Sequence, residues 1–435
     1  MNSINNGGRK SALLGLAVFV GATQSAIAAD QLGFSAGVSM ERHDNAGLVH
    51  NDEQSDIERV VSADLSYLRP DGPLQVRLGY HAEYRNFMDG EQSNGHAIDG
   101  STSLRWDVLP RQLTLVLDHQ ISEELTDARS SDTMNNLEEH SVASAGFDGY
   151  LHFSPVDSVV LRPRFTDVRF QHSDQSNSQR SSLPVVWQHA LSPVSRLEIT
   201  GAYDHATFDD STNNYDSPSV MVGYFAALSR LTYQVQLGAR HINRDEGKDV
   251  NGNTASIGFD YKGTGYTWGG TYVRELTDTS LGLAGAQFQL SSFQFQSRDS
   301  NFAQFDVVAR DQADAYFNWE FSASSQLRLG AGYWKENYKE TPQDQKGFYG
   351  RIGYNYTLNS FWAAGVDTSY RRTDFLDDPI LQRYNDIETR LYVDYRPLRD
   401  LSVRFALGQQ RRDADVSTSS YTDNTVLVGL RYRFF

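Results

Sequence analysis

The chain has 435 residues, no cysteine and a formal net charge of −16 at neutral pH. The absence of cysteine excludes disulfides and thiolate metal sites, and the acidic balance argues against nucleic-acid binding. A mean hydropathy of −0.52 is typical of a soluble protein, but it also suits a membrane β-barrel, in which only alternate residues touch lipid.

The first 28 residues have the three parts of a secretory signal peptide. Residues 9–10 (RK) are basic, residues 11–22 (SALLGLAVFVGA) are apolar, and residues 26–28 (AIA) fit the small-x-small rule for cleavage. The apolar run is shorter than the about 20 residues that a membrane helix needs. We therefore expect residues 1–28 to be removed and residues 29–435 to form a single domain.

From residue 29 onward, strands alternate with short turns and longer polar loops. Pro, Gly, Asn and Asp mark the short turns because they suit turn geometry. Nine short turns imply ten hairpins and twenty strands, a pattern typical of outer-membrane barrels with both termini in the periplasm. The predicted turns are 69–73, 109–111, 154–157, 192–194, 228–230, 262–265, 322–325, 358–360 and 396–398, and the long loops include 43–56, 123–138, 172–180, 209–216, 243–252 and 413–423.

Within the strands, apolar residues alternate with polar ones. In residues 74–85 and 387–395, one face is apolar and the other carries charged side chains. The polar faces are too charged to be buried as a protein core, and one long antiparallel meander leaves the apolar faces no second layer except lipid. The sequence therefore predicts an all-β fold, a transmembrane antiparallel up-and-down β-barrel of about 18–20 strands. A propeller or another soluble β architecture is the alternative.

Two segments depart from this pattern. Around Pro163 to Arg169 the apolar alternation slips, which predicts a β-bulge. Residues 277–303 are too long for an ordinary turn and contain Phe288, Leu290, Phe293 and Phe295. We expect them to form an outward loop, a constriction in the lumen or an extra hairpin.

The last segment, residues 425–435, is a strand with apolar residues at each even position from Val426 to Phe434. Such an aromatic terminal strand resembles the C-terminal signature of bacterial outer-membrane β-barrels, which implies recognition by the barrel-assembly machinery. Phe434 continues the apolar face, and Phe435 lies one step beyond it.

A barrel of sixteen or more strands leaves an aqueous channel. The alternation along each strand predicts that its polar side chains line this channel. Charges of both signs occur there, which suits either an electrostatic guide for a solute or cross-strand salt bridges that stiffen the wall. Aromatic side chains at the same lumen-facing positions are suited to stacking on sugars. The predicted pore-lining residues are Arg77, Arg105, Arg328, Arg351, Arg371, Arg390, Arg404, Arg431, Trp334 and Tyr349.

Catalytic motifs are not evident. The sequence contains no HExxH, GxSxG or Gly-rich phosphate loop, so we predict no enzyme activity, no cofactor and no metal site. Asp44-Asn45 and Asp209-Asp210 are candidates for the divalent cations that bridge lipopolysaccharide, with plain solvated loops as the alternative.

The whole mature chain resembles the β-barrel porin family of bacterial exopolysaccharide gene clusters, the PEP-CTERM-associated, EpsL-like outer-membrane proteins. The resemblance rests on residues 40–45 (MERHDN), on Leu/Ser-Pro turns such as residues 106–110 (WDVLP), and on the Arg-Tyr-Arg-Phe ending. It implies a wide barrel, often of eighteen strands, that lets a secreted polysaccharide cross the outer membrane. The implied partners are outer-membrane lipid, lipopolysaccharide, polysaccharide and periplasmic export components.

Two functions stay open at this point. The first is a conduit for exopolysaccharide export. The second is a general or substrate-specific uptake porin, for which residues 277–303 would fold inward as a constriction. A structural or adhesive barrel, or a barrel enzyme, forms a third class.

Overall fold

A computed structural model describes residues 30–281 and 305–435. The predicted signal peptide and most of the segment 277–303 lie outside these residues. The described strands are β1 (Gln31–His43), β2 (Asp56–Arg69), β3 (Leu74–Phe87), β4 (Gly95–Leu109), β5 (Leu113–Leu125), β6 (Leu137–His152), β7 (Asp157–Leu161), β8 (Arg164–Phe170), β9 (Ser178–Ser192), β10 (Ser195–Phe208), β11 (Tyr215–Ala227), β12 (Leu231–Arg244), β13 (Val250–Lys262), β14 (Tyr266–Asp278), β15 (Val307–Ser322), β16 (Ser325–Tyr338), β17 (Gln345–Thr357), β18 (Trp362–Phe375), β19 (Arg383–Leu398), β20 (Leu401–Ala414) and β21 (Tyr421–Arg433).

The strands form one closed antiparallel barrel. Each strand pairs with its neighbours in sequence, except that β7 and β8 both pair with β6 and β9, and β21 pairs with β1 to close the wall. Because β7 and β8 are two halves of one wall strand, the barrel has twenty strands. The fold class is therefore confirmed, and the strand number is the twenty that the turn count predicts.

The two ends of the barrel differ in their connections. All nine predicted short turns lie at one end, together with the start of β1 and the end of β21; we call it the turn end. The opposite end, which we call the loop end, carries the long connections. These include the 3-10 turns Met134–Asn136, Asp174–Ser176, Ser211–Asn213 and Ser417–Ser419.

The outer surface of the barrel is apolar. On β21, Val426, Val428 and Leu430 are 53%, 47% and 43% exposed, so the predicted apolar face points outward. Aromatic pairs gather near the short turns: Trp319 lies 3.8 Å from Phe321 and Trp362 lies 4.5 Å from Tyr395, between ring centroids. An apolar band with an aromatic rim is the surface that a barrel presents to a bilayer. Among the described residues, no helix is long and apolar enough to cross a membrane.

The closing seam involves the aromatic end of the chain. The Phe34 backbone N–H donates to the Phe435 carbonyl at 3.0 Å, and the Phe434 N–H donates to the Phe34 carbonyl at 2.9 Å. The Phe34 and Phe434 rings lie 5.2 Å apart. The ladder thus extends beyond the last residue of β21.

Pro163 interrupts a wall strand without a bulge. Leu161 pairs with Gly149 and Arg164 pairs with Gly146, so the register against β6 is the same before and after the break. A bulge would insert a residue and shift that register, so its prediction is wrong. Because proline has no N–H to donate, the hydrogen-bond pairing with β6 is interrupted between β7 and β8.

Hydrophobic packing occurs inside the barrel near the loop end. One cluster joins Phe208, Tyr215, Ile242, Leu276 and Phe305 with Ala206 and Val307. A second joins Ala128, Phe375, Leu381 and Tyr384, and a third joins Val142, Val168 and Phe170. The inward positions at this end thus hold packed apolar side chains, together with buried ion pairs such as Arg180–Asp278 and Arg412–Asp386.

Candidate functional site

The predicted pore-lining arginines lie on strands that enclose the lumen, and several meet carboxylates there. Arg328 and Arg351 approach the same Asp367 oxygen at 3.7 and 3.8 Å. Arg371 lies 3.3 Å from Asp386. The structure therefore brings these three arginines to one sector, β16 to β19, whereas Arg77 and Arg105 are exposed on β3 and β4.

A second group of predicted arginines lies beside the closing seam. Arg404 makes two hydrogen bonds to Asp394, at 2.7 and 2.9 Å. Arg390 donates to Glu41 at 3.2 Å, although β20 and β21 separate their strands, and Arg431 lies 3.4 Å from Asp64. Such pairs stiffen a wall, and they also fix where positive charge faces the lumen.

These last arginines border a recess at the turn end. Its volume is about 450 Å³. Arg396, Arg399 and Arg433 are exposed there, whereas the other three arginines have the acidic partners described above. The arginines of the recess are Arg390, Arg396, Arg399, Arg404, Arg431 and Arg433, and its acids are Asp394 and Asp400.

The two predicted aromatic residues belong to the packed part of the wall. Trp334 is 4% exposed, and its ring lies 6.3 Å from that of Tyr349. The Tyr349 hydroxyl donates to Asp314. Because Trp334 is buried, its face is covered by protein in this conformation and not open to a passing sugar.

Residues 126–136, the loop between β5 and β6, cross the loop end of the barrel. Arg412 on β20 donates to the Ser130 carbonyl at 2.9 Å. Between β5 and β20 lie five strands, roughly 29 Å along the wall at about 4.8 Å per strand. Ser130 is five residues beyond Leu125, a reach of at most roughly 18 Å. The loop therefore leaves the wall and reaches across one sector of the loop end, from β5 to β20, where it also contacts the loops that follow β1 and β3.

Strands β19 and β20, and the loop between β18 and β19, hold this segment through several contacts. The Tyr384 hydroxyl donates to the Ala128 carbonyl at 3.0 Å, and Arg129 donates to Asp378 at 2.8 Å. Arg412 is fixed by two hydrogen bonds to Asp386, at 2.8 and 3.0 Å, and its side chain is 1% exposed. Buried polar contacts of this kind define one position for the loop.

The start of the connection between β14 and β15 also leans inward. Asp278 accepts hydrogen bonds from Arg180 at 2.7 and 2.9 Å and from the Tyr215 hydroxyl at 2.7 Å. The His140 ring on β6 is 3.1 Å from the Ser280 carbonyl. Residues 278–281 thus lie against the wall of β6 to β11. Residues 282–303 of the segment expected to form an outward loop, a constriction or an extra hairpin lie outside the described residues.

The loop end is acidic and the turn end is not. Over the residues that the structure describes, the ten long connections carry 19 Asp or Glu and 3 Lys or Arg. The nine short turns carry 2 Asp and 3 Arg. Together with the arginine recess, this gives the lumen an opposite charge at its two mouths.

Two loop carboxylates are held in the ionised form. The pKa of Asp378 lies below its ordinary value because the Ile380 backbone N–H and the Arg129 side chain donate to it. Burial opposes ionisation of Asp44, but the backbone and side chain of Asn424 donate to it, and its pKa is also lowered.

The loop positions named as cation candidates have structural partners. Asp44 and Asn45 bind the strand β21, since Asn45 N–H donates to Asp423 at 3.0 Å. Asp210 accepts from the Thr212 N–H at 3.2 Å and caps a 3-10 turn. Asp209 accepts from Asn177 at 3.3 Å. The alternative of solvated, structural loops therefore fits these residues better.

Comparison with known proteins gives likenesses to solved barrels only. No protein-family model matches the chain, and no curated protein matches it. The siderophore receptor PirA from Pseudomonas aeruginosa has 11% identity and a TM-score of 0.43, over 94% of this chain and 81% of that one. OpdK of Pseudomonas aeruginosa, solved with vanillate, has 10% identity and a TM-score of 0.40, over 93% and 99%. OmpT of Vibrio cholerae lacking loop L8 has 9% identity and a TM-score of 0.35, over 93% and 99%.

At these identities and TM-scores, the ligands of those proteins do not bear on this chain. The closed wall, the apolar outer band and the charged interior decide its class. The protein is an outer-membrane β-barrel. Its surroundings are therefore the lipids of that membrane.

Proposed function

We propose that the protein is a channel for small hydrophilic solutes, in which residues 126–136 form the constriction. The crossing of the loop end by this segment, and its anchoring on β18 to β20, carry the proposal. A twenty-stranded barrel is wide enough for an aqueous channel, so an inward segment determines the size of what passes. This favours the uptake porin of the two functions, with a different loop in the constricting role.

Removal of the crossing segment tests this function. Replacing residues 128–134 by a short Gly–Ser link should raise single-channel conductance in a planar bilayer and speed the entry of larger sugars into liposomes. A matched control shortens residues 171–177, a long connection whose contacts include Glu138 on β6 and Asp209 in the loop after β10. Unchanged conductance after the first replacement would contradict a constricting role.

The export of an acidic exopolysaccharide is the second candidate. The arginine recess at the turn end and the acidic loops at the opposite end support it, because a polyanion is attracted at the first mouth and repelled on leaving the second. In this proposal the turn end faces the periplasm. Block of the current by a soluble acidic polymer added at the turn end, but not by a neutral one, would favour export. Block by small solutes alone favours the uptake channel.

A further inference from the structure

A histidine and two glutamates meet on the lumen face of the closing seam. Glu41 and His43 are two residues apart on β1, and Glu58 lies directly opposite Glu41 on β2. One donor atom from each side chain lies within 4.8 Å of the other two. The side chains of Glu41, His43 and Glu58 are 10%, 17% and 12% exposed.

Each of the two glutamates has an arginine beside it. Like charges directly opposite each other in an antiparallel ladder are destabilising. Arg390 lies 3.2 Å from one oxygen of Glu41, and Arg85 lies 3.8 Å from one oxygen of Glu58. Each arginine therefore engages one oxygen, and the second Glu58 oxygen faces the His43 ring at 3.5 Å.

Asp423 orients the histidine. The His43 Nδ1 is 2.7 Å from a carboxylate oxygen of Asp423, whose side chain is 2% exposed. A carboxylate only accepts hydrogen bonds, so Nδ1 carries a proton and donates to Asp423, and Nε2 is the ring atom that faces Glu58. This nitrogen is buried and has no hydrogen-bond partner among the described residues. Carboxylate–histidine–metal triads have the same arrangement.

We propose that Glu41, His43 and Glu58 bind a divalent transition-metal ion, Zn²⁺, in the channel wall. Zn²⁺ takes one imidazole and two carboxylates readily, and bonds of about 2.0–2.1 Å place neighbouring ligand atoms roughly 3.3 Å apart in a tetrahedron. The 3.5 Å separation between His43 and Glu58 is close to that spacing. A fourth position faces the lumen, where water or a solute carboxylate completes the coordination.

The site does not depend on which solute passes. The competing arrangement is an imidazolium ion that pairs with Asp423 and Glu58 and excludes a metal. The two arrangements differ in whether Zn²⁺ binds between His43 and the two glutamates, which a direct binding measurement decides.

Calorimetric titration of ZnCl₂ into the full-length barrel, folded in detergent without a tag, tests the proposal. We expect one Zn²⁺ per barrel. The His43→Ala and Asp423→Asn variants should each weaken binding at least about 10-fold. The matched control is His205→Ala, since the His205 Nδ1 is also 2.8 Å from a carboxylate, that of Asp216, but lies outside the Glu41–His43–Glu58 cluster. This variant should bind as the parent does.

The X-ray absorption spectrum of bound zinc keeps the test decisive if a variant fails to fold. One imidazole and two carboxylates in the first coordination sphere of the parent protein support the site. The proposal is overturned by the absence of stoichiometric binding, by binding that His43→Ala leaves unchanged, or by a spectrum with several imidazoles.

Discussion

Gly332 lies directly opposite Tyr349 on the neighbouring strand. A Cβ atom at position 332 would overlap the Tyr349 ring. The ring therefore lies over the backbone of β16, from where its hydroxyl reaches Asp314 on β15. Aromatic covering of a strand glycine stabilises the sheet locally, since the ring occupies space that the glycine leaves empty.

The Gly332→Ala variant should lower the free energy of unfolding by about 1–3 kcal/mol, because the added methyl group overpacks the site and displaces Tyr349. Denaturant unfolding in detergent measures this. Gly201→Ala is the control, since a Cβ there meets no atom within 4 Å. Equal stability of the two variants would show that the Tyr349 ring moves aside without cost.

Sequence alternation predicts which way a strand residue points but not what it meets. The outward exposure of Val426, Val428 and Leu430 follows from period two alone. By contrast, Arg180 and Asp278 are 98 residues apart and have no sequence signal that links them. Their meeting depends on the diameter of the closed barrel and on where the connection after β14 enters it.

At the scale of elements, the sequence marks the positions of short turns more clearly than the paths of long loops. Pro and Gly mark short turns because their backbone geometry is restricted or permissive at single positions. The path of residues 126–136 depends on partners such as Asp378, 249 residues from Arg129, and the loop composition does not reveal them. The sequence offers residues 277–303 as an outward loop, a constriction or an extra hairpin, and only residues 277–281 of this segment are described.

Asp278 anchors the end of β14 to β9 across four intervening strands. Its side chain is fully buried and that of Arg180 is 9% exposed. The Asp278→Ala variant leaves a buried guanidinium without its carboxylate, so we expect the free energy of unfolding to fall by about 3–5 kcal/mol. Asp167→Ala breaks the exposed pair with Arg169, with exposures of 33% and 44%, and should cost about 0–1 kcal/mol.

Denaturant unfolding of both variants, with heat-dependent migration in gels as a check of barrel closure, measures the difference. A loss in Asp278→Ala no larger than that in Asp167→Ala would mean that the Tyr215 and Ser280 hydroxyls, to which Arg180 also donates, stabilise the buried guanidinium without the carboxylate.

At the scale of the whole molecule, the number of wall strands follows from the turn count. The distribution of charge along the barrel does not follow from the net charge. Twenty strands are specified locally, hairpin by hairpin. A net charge of −16 could be spread evenly, but its distribution in space is set by the barrel, which separates acidic loops from the arginine recess. Opposite fixed charges at the two mouths make the lumen electrically asymmetric.

This asymmetry predicts a rectifying current. Cations concentrate at the acidic loop end and anions at the arginine recess, so a voltage that drives both inward fills the lumen with ions, and the opposite voltage depletes it. The current should be larger when the turn side is negative. The effect should be strong at 0.01 M salt, where the Debye length is about 30 Å, and weak at 1 M, where it is about 3 Å.

Single channels inserted in one orientation give the measurement. Replacing Arg396, Arg399 and Arg433 by Glu makes both mouths acidic, so the rectification should vanish and the reversal potential in a salt gradient should move toward cation selectivity. Replacing the same residues by Lys keeps the charge and should preserve both properties. A linear current–voltage curve for the parent channel at low salt would mean that mobile ions entering the lumen neutralise the recess and the loops alike.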